Sequence, residues 1–294
     1  MVMRYKEPLF RPPAEANSLI FQAAYGCPNN TCTFCGMYKG KKYSERDPIE
    51  TFSDIAWAKE HYRNEKRVFL ADGDVMFMRF DRIEAILKAI HDAFPHLARV
   101  NMYANSSSIL GKSAVELKRL KELRLNTLYI GLESGSNEVL KILKKKDTAE
   151  QAIEAVQLAN QCGLKCSVMV LLGAGGKALT QEHAQDTIKI VNAMQPAILS
   201  LLTMIPVPGT ALVQDISKGH FIQLNKEEIL LELREMILGF ELNHTVFRCN
   251  HTSNPLPLEG RFPKDKESLI AQVDAMLRDK EFLNDEEWTS PWML

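Results

Sequence analysis

From Ser18 onward, short apolar runs rich in β-branched and aromatic residues alternate with longer amphipathic stretches, the pattern of repeated βα units around a parallel sheet. The runs are Ser18–Tyr25, Arg67–Ala71, Arg99–Ala104, Thr127–Leu132, Lys165–Leu172 and Ala197–Met204. Most are nearly continuously apolar, as strands covered on both faces should be. Between them, Ser113-Ala-Val-Glu116 and Thr148-Ala-Glu-Gln151 fit the capping box, in which the hydroxyl and the side chain three residues on satisfy orphan N–H groups at a helix start. Val115, Leu117, Leu120 and Leu123 then predict a core-facing stripe.

After Gly209 the pattern loosens into a helix-like Lys226–Phe240, an irregular His244–Phe262 and a final amphipathic helix over Lys264–Arg278. The fold class predicted is α/β, a partial (β/α)6 TIM-like barrel with a C-terminal helical and irregular extension. Residues 1–17 read as an N-terminal extension and 18–212 as the barrel core. No Gly- or Ser-rich linker sets off 213–294, which read as an extension packed on the barrel. In such folds reactive groups sit on the loops after the C-terminal ends of the strands.

Composition narrows the class. Of 294 residues, 46% are hydrophobic and 25% charged, an ordinary globular mixture rather than a disordered or membrane chain. Lys and Arg total 36 against 37 acids, so no global positive field gathers phosphate backbones. The N-terminus shows no signal-peptide pattern. The most apolar stretch, Pro196 to Pro208, is shorter than the ~20 residues of a spanning helix. These readings predict a cytoplasmic protein with no membrane partner. Six Cys in such a chain point to reduced thiols, metal ligands or redox groups rather than a disulfide framework.

Their positions separate these options. The first run ends in Tyr25-Gly-Cys27-Pro-Asn-Asn-Thr-Cys32-Thr-Phe-Cys35-Gly, three Cys on one loop. Three thiolates there can hold three irons of a [4Fe–4S] cube and leave the fourth open. The competing reading is a closed zinc site completed by His61, Cys249 or His251, giving a zinc-stapled structural or interaction protein without redox chemistry. Cys162, Cys166 and Cys249 lack the loop crowding of the first trio and read as buried thiols.

The Cys loop resembles that of the radical SAM superfamily, C-x3-C-x2-C after the first barrel strand with an aromatic residue before the last Cys, here Phe34. This chain has one extra residue between Cys27 and Cys32. The resemblance spans roughly Ser18 to Leu212. It implies a [4Fe–4S] cluster on Cys27, Cys32 and Cys35, and S-adenosylmethionine as the second cofactor. It implies reductive cleavage to a 5′-deoxyadenosyl radical that takes hydrogen from a substrate. It also implies an electron donor such as flavodoxin or ferredoxin.

Further loops are similar to family segments. Asp72-Gly73-Asp74 stands where the family binds the cofactor's amino group; Gly73 permits close approach, and Asp72 or Asp74 can accept from an ammonium, with Asp74 the preferred contact. Ser107, within Asn105–Ser108, offers a hydroxyl on the same rim. Gly131-Leu-Glu133-Ser-Gly-Ser136 resembles a family segment whose Glu133 binds the ribose or the substrate. One Lys of the run 141–146 is expected to reach the cofactor carboxylate. Gly173 is expected beside the adenine, and Ile205-Pro-Val-Pro208-Gly209-Thr210 at the pocket edge. Arg248 and His251 are candidates for binding a polar substrate or shuttling a proton. A small-molecule substrate is the main expectation, because no RNA-binding or cobalamin-binding appendage is visible. RNA modification is the alternative.

Overall fold

A computed structural model describes residues 3–285. The sheet strands are β1 (Leu19–Gln22), β2 (Arg67–Ala71), β3 (Arg99–Ala104), β4 (Leu125–Glu133), β5 (Lys165–Leu172), β6 (Ile198–Thr203), β7 (Val246–Arg248) and β8 (Glu259–Arg261). Strand order follows chain order, the sheet is mostly parallel, and it is not closed. The α/β, partial-barrel expectation is therefore met. The principal helices are α1 (Pro48–His61), α2 (Phe80–Ala93), α3 (Ala114–Glu122), α4 (Ala149–Gln161), α5 (Gly176–Met194), α6 (Ala211–Ser217), α7 (Lys226–Gly239) and α8 (Lys266–Arg278).

The chain divides into two compact units. The first comprises the residues up to Asn30, Met37–Ile130 and Glu154–Cys166. Here β1 pairs parallel with β2 (Leu19 opposite Val68), β2 with β3 (Val68 opposite Val100), and β3 with β4 (Met102 opposite Leu128). Val68 to Ala71 are all fully buried, as a strand covered on both faces requires. Pro48 and the Asp47 side chain, which accepts from Ile49 N at 2.8 Å, start α1; Ile83, Ile86, Leu87 and Ile90 form the buried stripe of α2.

The same unit is closed from within by Glu15, 1% exposed. Its carboxylate accepts from Ser18 Oγ at 2.5 Å, Asn101 Nδ2 at 2.7 Å and the Tyr129 hydroxyl at 2.6 Å. A buried carboxylate persists because it is saturated with donors.

The second unit comprises Thr31–Gly36, Gly131–Ile153 and the residues from Ser167 on. In it β5 pairs parallel with β6 (Val168 opposite Leu199), β6 with β7 (Ile198 opposite Val246), and β7 antiparallel with β8. Asn254 fastens the loop between the last two strands to β6: its Oδ1 accepts from Thr203 N at 2.7 Å, and its Nδ2 donates to Leu201 O at 2.8 Å.

Three expectations are corrected. The run Ser18–Tyr25 is not one strand: β1 stops at Gln22, and Ala24–Tyr25 pairs with Ser44–Glu45 in a separate antiparallel hairpin. Arg46 N donates to Ala23 O at that break, and the buried Arg46 guanidinium donates to Asp54 at 2.6 Å. The stretch His244–Phe262 is not wholly irregular, since it contains β7 and β8, each too short for an alternation signal and made by ladder bonds to distant residues. Val115 is 77% exposed while Leu117, Leu120 and Leu123 are buried. Two positions correspond to about 200° of helix, which turns Val115 away from Leu117. Both capping boxes are present as predicted.

Candidate active site

The site residues are built on loops that follow the sheet strands, and each unit fixes its own share. In the first unit, Gly26 N donates to Asp72 Oδ2 at 3.0 Å and Gly73 N donates to Gly26 O at 3.1 Å. A Cβ on Gly73 would lie 2.8 Å from Cys27 Cβ and 2.8 Å from Tyr38, so this glycine is required for the backbone to lie against Cys27.

The two acids flanking Gly73 differ. Asp74 is 1% exposed and saturated: Oδ2 accepts from Ser108 Oγ at 2.5 Å and Asn105 Nδ2 at 2.9 Å, and Oδ1 accepts from Phe77 N at 3.1 Å. Burial pushes its pKa up to about 6 against these donors. Asp72 accepts through Oδ2 from Gly26 N and Gln22 Nε2, while its Oδ1 is buried without a hydrogen-bond partner. Burial raises its pKa as well, opposed by Gly26, Gln22 and Lys41. Asp74 thus holds an internal staple, and Asp72 is the acid that retains an acceptor oxygen. Ser107 is exposed; its neighbour Ser108 makes the bond to Asp74.

In the second unit the Cys32–Cys35 segment is tied at both sides, Thr33 N donating to Leu143 O at 3.0 Å and Leu212 N donating to Thr33 O at 2.9 Å. Phe34 packs against a cluster containing Val139, Leu143, Ala174 and Leu212. A Cβ on Gly36 would meet the Val207 side chain at 2.5 Å, which seats the Pro-Val-Pro-Gly turn against the Cys segment.

At the end of β4, Glu133 adopts the left-handed region (φ +66°), unusual for a residue with a Cβ. Its Oε1 accepts from Lys145 Nζ at 3.1 Å, with both side chains nearly buried. A Cβ on Gly131 would stand 2.1 Å from that same oxygen, so the bare Cα of Gly131 is what lets the carboxylate fold back. Burial pulls the Lys145 pKa down, but Glu133 and Cys32 more than offset this and the net shift is upward; the ammonium is firmly charged. Lys141, Lys144 and Lys146 are exposed, so one lysine of the run is singled out. Lys144 has φ +53°, and this turn separates Lys145 from its exposed neighbours.

Gly173 has φ +77°, and its N–H donates to Glu232 Oε1 at 2.7 Å. Arg248 lies on β7, exposed, its guanidinium paired with Glu259 directly opposite on β8. His251 is partly buried, with Nδ1 at 2.8 Å from Ser253 Oγ, and burial lowers its pKa. His61 stacks on Trp57 at 3.9 Å. Cys166 and Cys249 are buried thiols with pKa pushed up to about 12 by desolvation, and Cys162 is buried too.

No sequence motif marks His183 or Glu232. His183 lies on the buried stripe of α5 with Ala184, Thr187, Ile190, Val191 and Met194, so a titratable residue on an apolar face was the available signal. Nothing local marked Glu232, which belongs to an otherwise ordinary amphipathic helix.

The residues present fit an iron–sulfur cluster. Cys27, Cys32 and Cys35 are in no disulfide and are partly exposed; Gly73 sets the backbone at Cys27 in the first unit, and Phe34 anchors the Cys32–Cys35 segment in the second. Among the described residues no three His, Cys, Asp or Glu side chains form a group that could hold a single metal ion. A cube differs from such a site in that each thiolate ligates its own iron. Also among the described residues, no helix is long and apolar enough to cross a membrane.

This is the fold of a (β/α)-barrel enzyme class. The radical SAM superfamily profile matches residues 22–191, and the chain belongs to that superfamily. It is 26% identical over 148 residues to a Methanocaldococcus jannaschii protein named as a methylthiotransferase, covering 48% of this chain and 32% of the relative. It is 25% identical over 119 residues to tRNA uridine(34) acetyltransferase of Methanocaldococcus infernus, covering 40% and 22%. This chain thus spans about a third or less of the length of these two relatives. Among solved structures, methylornithine synthase superposes with a TM-score of 0.53 at 17% identity, covering 88% of this chain and 81% of that one. Family members use a [4Fe–4S] cluster, S-adenosylmethionine and a reductant.

Proposed function

We propose that this chain cleaves S-adenosylmethionine reductively and uses the product to abstract hydrogen from a small polar molecule. The observation that carries it is the three-cysteine loop together with the buried Glu133–Lys145 pair folded over Gly131. Cys27, Cys32 and Cys35 hold the cluster. When bound, the cluster and S-adenosylmethionine supply a one-electron cleavage that yields methionine and a 5′-deoxyadenosyl radical.

The chain's own residues bind, orient and exclude water. Lys145 offers a fixed positive charge to the cofactor carboxylate, and Glu133 keeps that charge in place and accepts from ribose or substrate hydroxyls. Asp72 Oδ1 is a buried acceptor beside the Cys27 loop, suited to an ammonium. Gly173 presents bare backbone to the adenine face. The near-neutral charge balance supports a small substrate over a polyanion.

Anaerobic reconstitution followed by dithionite-dependent 5′-deoxyadenosine assay tests the reading. Product is expected from the wild type and is lost on Cys27→Ala, Cys32→Ala and Cys35→Ala together. Colourless protein with one zinc and no nucleoside product would sink it. The relative named for tRNA modification supports a second reading, RNA as substrate, which predicts salt-dependent retention of tRNA.

A further inference from the structure

In the second unit a buried carboxylate holds one of the loops assigned above to the cofactor. Glu232, on α7, is 3% exposed. Its Oε1 accepts from Gly173 N at 2.7 Å, and its Oε2 accepts from Thr180 Oγ1 at 2.6 Å. Ile229, three residues earlier on α7, would meet a Cβ on Gly173 at 3.0 Å, so α7 both packs against that glycine and hydrogen-bonds it.

On the other side of Glu232 lies His183, fully buried on α5. Its Nδ1 is 2.7 Å from Ser134 Oγ, which itself accepts from Ser136 N at 3.0 Å. Burial lowers the His183 pKa to about 4, so the ring is neutral. Nε2 has no hydrogen-bond partner and sits 3.7 Å from Glu232 Oε1. Hydrogen bonds thus join His183 to Ser134, adjacent to Glu133, and separately join Glu232 to the backbone of Gly173.

We propose that Glu232 is a positioning residue for S-adenosylmethionine: from α7 it sets the Gly173 turn by accepting from its N–H, itself held by Thr180. This rests on the reading that the Gly173 turn receives the cofactor. A buried carboxylate needs donors, and the backbone N–H of a left-handed glycine needs an acceptor; each fixes the other. Glu232 touches none of the reacting atoms.

The test uses the full chain with its cluster reconstituted, comparing wild type, Glu232→Ala and Glu232→Gln. Equilibrium dialysis measures S-adenosylmethionine affinity, and hydrogen exchange of the peptide containing Gly173 is followed without cofactor. Glu232→Ala is expected to weaken cofactor binding about tenfold or more, the scale of a lost charge-assisted hydrogen bond, with iron and sulfide content unchanged. It also speeds exchange at Gly173. Glu232→Gln, whose amide oxygen still accepts from Gly173 N, is expected to restore affinity to within about threefold of wild type.

Equal affinity in Glu232→Ala and wild type overturns the proposal, as does an equal loss in both variants. Should Glu232→Ala not fold, Thr180→Val removes the carboxylate's other anchor and is expected to speed Gly173 exchange and weaken binding; no change in either overturns the proposal. A wild type that binds no cofactor overturns the underlying reading as well, whereas a binding wild type with an indifferent Glu232 overturns this proposal alone.

Discussion

The Glu133 carboxylate accepts from Lys145 at 3.1 Å across the space that a Cβ on Gly131 would occupy. A glycine, an acid and a lysine spread over fifteen residues thus make one unit, and each is needed for the geometry of the others.

Gly131→Ala tests this directly. The new methyl would stand 2.1 Å from Glu133 Oε1, so the carboxylate must swing off Lys145. S-adenosylmethionine cleavage is expected to fall by about tenfold or more, the consequence of about 1.4 kcal/mol or more of lost positioning. Nucleoside product per iron, with melting temperature as control, measures it.

Lys145→Met removes one partner of a nearly buried pair and leaves Glu133 without its counter-charge. Such uncompensated burial costs about 3–5 kcal/mol. Denaturant unfolding is expected to show that loss, and Lys144→Met, on an exposed side chain, a change of at most about 0.5 kcal/mol.

Glu15→Ala strips an acceptor from Ser18, Asn101 and Tyr129 at once, inside the first unit. Each orphaned buried donor is worth about 1–3 kcal/mol, so a loss of several kcal/mol is expected. Glu15→Gln keeps one acceptor oxygen and should lose less. Urea midpoints at constant slope separate the two.

Asp74 predicts a pH signature. Its folded pKa of about 6 lies above the 3.8 of an unperturbed Asp, so between those values the folded state holds the proton that the unfolded state has released. Its contribution to stability is full below about pH 4 and declines as pH rises through 6. Asp74→Asn removes that slope. Unfolding at pH 4.5 and 7 in both proteins is expected to differ in pH dependence by roughly 1–3 kcal/mol. An identical pH dependence in the variant would contradict the assignment.

Arg248→Ala breaks an exposed cross-strand pair with Glu259, worth under about 1 kcal/mol. Melting is therefore expected to be unchanged. Turnover measured on the same sample reads the substrate role considered for Arg248 without interference from stability.

Much of the barrel was legible because parallel strands buried on both faces leave continuous apolar runs, and β2, β3 and β5 fall where those runs lie. The capping boxes at Ser113 and Thr148 were legible because all their partners lie within four residues. The strands β7 and β8 were not, because three-residue strands gain their stability from the neighbour they pair with.

The amino-acid order alone marked the candidate chemistry: three cysteines spaced on one loop, a glycine-acid turn after the second strand, and the Gly-x-Glu segment at the end of the fourth. Covalent spacing keeps the residues of each motif near one another along the chain whatever the rest of the chain does. Only the tertiary structure decided which of several equivalent side chains is buried and paired. Lys145 is chosen from four lysines, Ser108 from three serines, and Glu232 from the acids of α7, because burial and distance to a partner on another element, and not residue type, set those choices.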